Sequence, residues 1–138
     1  EQARLLGMPN TIYGDPSGLS MTSQSTAGDL YKLILYISAR HPDLLKITRT
    51  KIATITDFKT MRRTALVNIN QLAGTADFIG GKTGRTDESG DNLVSIFSLN
   101  GRQYLILVFG ADDRFAQTER LFQWLKKQNL EYRIKNLE

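Results

Sequence analysis

Between two apolar stretches lies Ile79-Gly80-Gly81-Lys82-Thr83-Gly84-Arg85-Thr86, where one ammonium and two hydroxyls stand among three glycines. Glycine weakens a strand interior unless a ligand or another backbone must come close, so the cluster reads as a strand edge against which something docks. Lys82 and Thr83 then offer that visitor a charge and a hydroxyl. With backbone N–H groups exposed beside them, they form a receptor for a carboxylate or a phosphate. The other polar candidates read as structure. His41, the only histidine, sits next to Pro42 at a helix end. Asp15, Asp112, Asp113 and Arg114 fall at turns and at the start of the last helix. A nucleotide-binding P-loop at Gly81-Lys82-Thr83 would need glycine at the position of Ala76 and a helix opening at the lysine. Gly84, Gly90 and Asp91 argue against such a helix.

The chain that must position this stretch has 138 residues, 41% of them apolar, which fits one folded domain. Its net charge of +4 mildly favours an anionic ligand. The charges are scattered, with only Arg62-Arg63 and Lys126-Lys127 adjacent, so a solvated surface is favoured over nucleic-acid binding. There are no cysteines, which excludes disulfide and thiolate chemistry. No apolar run approaches the roughly 18 residues of a spanning helix, and no signal peptide is visible.

Glu1 to Leu6 reads as the end of a helix stopped by Gly7, and Met8 to Gln24 as a structured loop rich in turn formers. Thr26 with Asp29 reads as a variant capping box ahead of Leu30, Leu33, Ile34 and Ile37, predicting a helix from about Thr26 to Ala39. His41-Pro42 breaks it, and Pro42 to Leu45 can begin a second short helix. The β-branched run Ile47 to Phe58 predicts extended structure. Asn68-Ile69-Asn70 reads as a polar turn. Ala76 to Thr86, Leu93 to Leu99 and Gln103 to Phe109 then read as an antiparallel meander, with a tight turn at Asn100-Gly101. Tyr104 to Phe109 is apolar throughout and is expected inside a sheet, covered on both faces. A last helix, Phe115 to Gln128, carries Leu121, Trp124 and Leu125 on one stripe, with Trp124 expected in the core.

Five segments occur in an order that resembles serine-type D-alanyl-D-alanine carboxypeptidases, the low-molecular-mass penicillin-binding proteins: Leu6 to Thr11, Asp15 to Ser20, Ser25 to Leu30, Asn68-x-Asn70-x-Leu72, and Gly80-x-Lys82-Thr83-Gly84-x-Thr86. The resemblance covers most of the chain. It implies an α/β fold of the α+β type, an antiparallel sheet flanked by helices as in β-lactamases and transpeptidases. Of the family's three motifs, S-x-x-K, S-x-N and K-T-G, only the last is present. Ser98-Leu99-Asn100 spells S-x-N, but it follows the K-T-G and lies at a hairpin, so it reads as turn chemistry. Residues 1–138 are therefore expected to be the C-terminal portion of one catalytic domain, incomplete at its N-terminus. The chain opens with Glu1 rather than Met, so sequence upstream is expected.

The resemblance also implies roles. Lys82 would hold positive charge beside the serine and assist proton transfer, and Thr83 would hydrogen-bond the carboxylate of the terminal D-Ala. Substrate would add to the sheet as a strand beside Gly84 and Thr86, and the Arg85 backbone N–H would form half of an oxyanion hole. Gly81, Arg85 and Ile69 depart from the family's usual residues, Gly81 in a way expected to loosen the strand. Implied partners are a peptidoglycan stem peptide or a β-lactam, and the remaining part of the domain or another copy of the chain. No cofactor is implied, a membrane only through segments outside these residues, and the location is outside the cytoplasmic membrane. The alternative is a non-catalytic peptidoglycan- or protein-binding module on the same fold.

Overall fold

In the computed structural model, which describes residues 1–135, a short helix α1 (Gln2–Leu5) leads through a long loop to α2 (Ala27–Arg40) and α3 (Pro42–Arg49). A hairpin β1 (Ile52–Thr56) and β2 (Arg63–Val67) follows, then the strands β3 (Phe78–Thr86), β4 (Gly90–Leu99) and β5 (Arg102–Ala111), and finally α4 (Arg114–Lys135). Strands β3, β4 and β5 form one antiparallel sheet in chain order, and β1 and β2 form a separate pair.

Local chemistry explains most boundaries. Thr26 caps α2, its hydroxyl accepting from the Asp29 N–H at 3.2 Å. The Asp29 carboxylate does not reach back to complete the box. It is 3% exposed and accepts instead from the Asn10 N–H and the Thr11 hydroxyl, both at 2.9 Å, with Lys32 3.6 Å away. This ties the loop after α1 to the first turn of α2, and Leu30, Leu33, Ile34 and Ile37 lie half-buried along the same helix. Gly7 ends α1 at φ 67°, and Asn100 and Gly101 turn β4 into β5 with φ of 53° and 75°, the doubly left-handed pair that a tight hairpin needs.

The expected extended run from Ile47 is corrected at its start, because α3 continues to Arg49 and the strand begins only at Ile52. Proline at the first helical position and the buried Leu45 hold the helix, and tertiary packing outweighs the β-branching of Ile47 and Thr48. The Thr50 hydroxyl donates to the Lys46 carbonyl at 2.8 Å and closes the last turn.

The core lies between the sheet and α4, where Leu72, Phe78, Leu93, Phe97, Ile106, Val108 and Phe122 meet. The Phe97 and Phe122 rings stack at 4.0 Å, and Phe78 meets Phe97 edge-on at 5.8 Å. Trp124 is not core: it is 60% exposed, while Phe122 is 4% exposed. The inward stripe of α4 runs through Phe115, Thr118, Phe122 and Leu125, and the buried threonine breaks its apolar pattern. Among the described residues β5 is the last strand of its sheet, paired on one side with β4. Phe109 is exposed there, and Leu105 and Leu107 are half-buried.

Candidate active-site strand

Three supports fix β3. On one side β4 pairs with it from Gly80↔Ile96 to Thr86↔Gly90, after an extra residue at Ile79 that shifts the register between Phe78 and Gly80. Against its face lies α3: the Thr48 hydroxyl donates to the Leu45 carbonyl at 3.0 Å and accepts from the Gly81 N–H at 3.2 Å. At its far end Arg114, the first residue of α4, donates from Nη1 to the Gly84 carbonyl at 3.0 Å.

The three glycines of the stretch have different reasons. A Cβ on Gly80 would lie 2.8 Å from the Thr48 hydroxyl oxygen and 2.9 Å from the Leu45 carbonyl oxygen, so α3 can sit flush on the strand only because that position is bare. A Cβ on Gly81 would lie 2.2 Å from the Val94 carbonyl oxygen and 3.1 Å from the Phe78 ring. The expectation that Gly81 loosens the strand is therefore reversed, since glycine is what lets the strand close against its neighbours. A Cβ on Gly84 would meet nothing within 4 Å. No packing within these residues requires that glycine.

Lys82 is exposed, and its ammonium donates to the carbonyl of Thr83. Thr83 is buried, and its hydroxyl makes no hydrogen bond among the described residues. Arg85 is exposed on the same strand, with Nη1 3.4 Å from Asp91 Oδ1 across the β3–β4 pair. Thr86 is committed to the turn that follows: its N–H and hydroxyl donate to the Ser89 hydroxyl at 3.2 and 3.1 Å, and its hydroxyl accepts from the Ser89 N–H.

Asp91 and Arg114 are the residues that the sequence reading left out of the site. Asp91 Oδ1 also lies 3.3 Å from Arg114 Nη1, so one largely buried carboxylate faces two guanidinium groups. A bulge makes the meeting possible. Between the pairs Asp91↔Ala111 and Leu93↔Val108 the fifth strand holds one extra residue, and Gly110 there adopts φ 57°. Its N–H donates to Asn92 Oδ1 at 3.1 Å. Two guanidinium groups thus share one carboxylate, while Lys82 stands exposed on the same strand and Asp87 and Glu88 are exposed in the turn that follows it.

Three of the remaining polar candidates, His41, Asp113 and Asp15, have structural partners. His41 Nε2 lies 3.3 Å from the Tyr36 hydroxyl, with the rings edge-to-face at 5.3 Å. Asp113 Oδ1 accepts from the Phe115 and Ala116 N–H groups at 2.9 and 3.0 Å and caps α4. Asp15 holds its own turn, accepting from the Ser17 hydroxyl and the Gly18 N–H.

Residues 1–113 match the family described as D-alanyl-D-alanine carboxypeptidase. The chain belongs to that family. It is 34% identical over 130 residues to a D-alanyl-D-alanine endopeptidase of Pseudomonas aeruginosa, covering 91% of this chain and 42% of that one. Penicillin-binding protein D2 of Listeria monocytogenes, in its cefotaxime-bound form, superposes with a TM-score of 0.74 at 32% identity, over 88% of this chain and 51% of that one. A D-alanyl-D-alanine carboxypeptidase of Mycobacterium tuberculosis gives 0.75 at 28% identity, over 89% and 49%. The chain thus spans about half the length, or less, of the relatives it matches. The antiparallel sheet and its flanking helices are those of the penicillin-binding and transpeptidase fold, and the family is one of serine hydrolases.

Proposed function

We propose that β3 forms the K-T-G wall of a serine D-Ala-D-Ala peptidase site that trims the terminal D-Ala of peptidoglycan stem peptides, outside the cytoplasmic membrane. The observation that carries this is Gly84. Gly80 and Gly81 are bare because the protein's own backbone and side chains crowd them, whereas the space beside Gly84 is open. A glycine without an internal reason suits a strand along which a substrate peptide is laid.

On this reading Lys82 holds positive charge beside the attacking serine, and the Thr83 hydroxyl and the Arg85 guanidinium read the substrate carboxylate. The Arg85 backbone N–H donates to the oxyanion that forms when serine attacks the peptide carbonyl. Such a donor is worth roughly 3 kcal/mol of transition-state stabilisation. The nucleophile belongs to an S-x-x-K that these residues do not contain, and the rest of the domain supplies it. The acyl-enzyme that follows is also what a β-lactam would leave on that serine.

A second reading, cleavage of cross-linked rather than terminal D-alanine, draws on the endopeptidase names of the relatives. The complete enzyme, given a free pentapeptide and a cross-linked muropeptide, separates the two. Release of D-Ala from the pentapeptide as the faster reaction supports the carboxypeptidase reading, and faster opening of cross-links replaces it with the endopeptidase one. Turnover of neither substrate, with no acylation by penicillin, would leave the non-catalytic module.

A further inference from the structure

The β1–β2 hairpin stands apart from the sheet that carries the K-T-G stretch, pairing only within itself from Ile52↔Val67 to Thr56↔Arg63. Its tip is the four-residue loop Phe58-Lys59-Thr60-Met61, closed by the Asp57 N–H donating to the Arg62 carbonyl at 2.9 Å. The loop is braced from inside. The Asp57 carboxylate accepts from the Lys59 N–H at 2.8 Å and from the Thr60 hydroxyl at 2.9 Å.

What this braced loop displays is unusual for a turn. Phe58 is 89% exposed and Met61 69% exposed, and Met61 holds φ 55°, a backbone position that glycine or asparagine takes more easily. A polar tetrapeptide would serve the hairpin better if turning were its whole task. Around these two apolar side chains stand Lys59, Arg62 and Arg63, all exposed and none in an ion pair among the described residues. The one carboxylate of this loop, Asp57, is engaged by the loop itself.

We propose that this tip docks on an anionic phospholipid surface, Phe58 and Met61 entering the headgroup region while Lys59, Arg62 and Arg63 meet lipid phosphates. The apolar pair alone would not choose an occupant. The collar of cations does, because a protruding apolar tip ringed by basic side chains combines the two terms on which interfacial binding depends, buried apolar area and attraction to anionic lipid. No described helix is long and apolar enough to cross a membrane. It does not depend on the reading of the K-T-G strand.

The test uses the full-length enzyme with vesicles of phosphatidylcholine, with and without phosphatidylglycerol, and the variants Phe58→Ser/Met61→Ser and Lys59→Gln/Arg62→Gln/Arg63→Gln. Unchanged melting temperature and penicillin acylation check that the variants fold. The protein is expected to sediment with the anionic vesicles at least about tenfold more strongly than with neutral ones, and each variant to lose about that factor. A Phe58→Trp variant locates the contact even if another segment also binds lipid. Its added emission should shift to the blue on anionic vesicles only. Failure to bind, equal binding to neutral vesicles, undiminished binding by the variants, or an unshifted emission would each overturn the proposal. The last two would point to another segment or to a protein partner.

Discussion

Arg114 Nη1 donates to the Gly84 carbonyl at 3.0 Å, joining the first residue of the last helix to the glycine of the K-T-G strand. The same nitrogen lies 3.3 Å from Asp91 Oδ1, whose other cation, Arg85, projects from the next position of that strand. The helix, the hairpin and the candidate site are therefore one mechanical unit. Replacing Arg114 with alanine leaves a largely buried carboxylate with one long contact to an exposed arginine. The expected cost is about 2–3 kcal/mol of stability, with a parallel fall in acylation of the complete enzyme. Chemical denaturation checks it, and a loss under about 0.5 kcal/mol would show that the tether carries no load.

The glycines separate packing from function. Gly81→Ala drives a methyl into the Val94 carbonyl oxygen and the Phe78 ring, and overpacking of this kind costs about 1–3 kcal/mol or more. Gly84→Val meets open space within these residues, so its melting temperature should stay near that of the wild type while acylation by penicillin falls at least about tenfold. A Gly84→Val enzyme acylated at the normal rate would remove the reason for assigning a substrate strand to that edge.

Along α4 the order of importance is opposite to that read from residue size. Phe122 stacks on Phe97 in the core, and Phe122→Ala should cost about 3–5 kcal/mol. Trp124→Ala, at an exposed position in this chain, should cost clearly less. Equal losses in thermal melts would place Trp124 under cover supplied from outside these residues.

The turn around Asp15 gives a pH dependence. The Ser17 hydroxyl first, and then the Gly18, Ser20 and Leu19 N–H groups, hold its carboxyl below the usual 3.8. A depressed folded value means that the turn's contribution is complete above about pH 4 and is lost as the pH falls through the folded value. The carboxyl carbon resonance of Asp15, followed by NMR from neutral pH downward, should titrate below 3.8. Ser17→Ala should move it back up. A titration at or above the usual value would show that the turn is not held this way.

Where a signal was local, the sequence was readable. Asn100-Gly101 marks its hairpin because both residues tolerate positive φ, and Thr26 marks the start of α2 because its hydroxyl has an orphan N–H within reach. The K-T-G stretch could be placed on a strand edge from its glycines alone. The Asp91–Arg114 contact could not, because it spans 23 residues and depends on a bulge at Gly110 that leaves no periodic trace. The length of α3 was hidden by β-branched residues that packing keeps helical, and the inward face of α4 was hidden by Thr118, a polar residue in an apolar stripe.

One expectation concerns β5, the last strand of its sheet among the described residues, where Leu105 and Leu107 are half-buried and Phe109 is exposed. We expect another segment, from the rest of the domain or from a second copy, to pair there. Edge strands of this composition invite association. Hydrogen exchange on the complete enzyme would show the backbone N–H groups of Tyr104 to Phe109 protected along the whole strand. Rapid exchange at every second one would show an edge open to water.

Lys82 is proposed to serve the chemistry of an acylating serine. The most direct measurement is the intact mass of the complete enzyme after incubation with penicillin, for the wild type, Lys82→Ala and His41→Ala, with these 138 residues alone as a control. A stoichiometric adduct is expected on the wild type and on His41→Ala, and none on Lys82→Ala or on the isolated chain. An adduct on the isolated chain, or equal acylation of Lys82→Ala and the wild type, would contradict it.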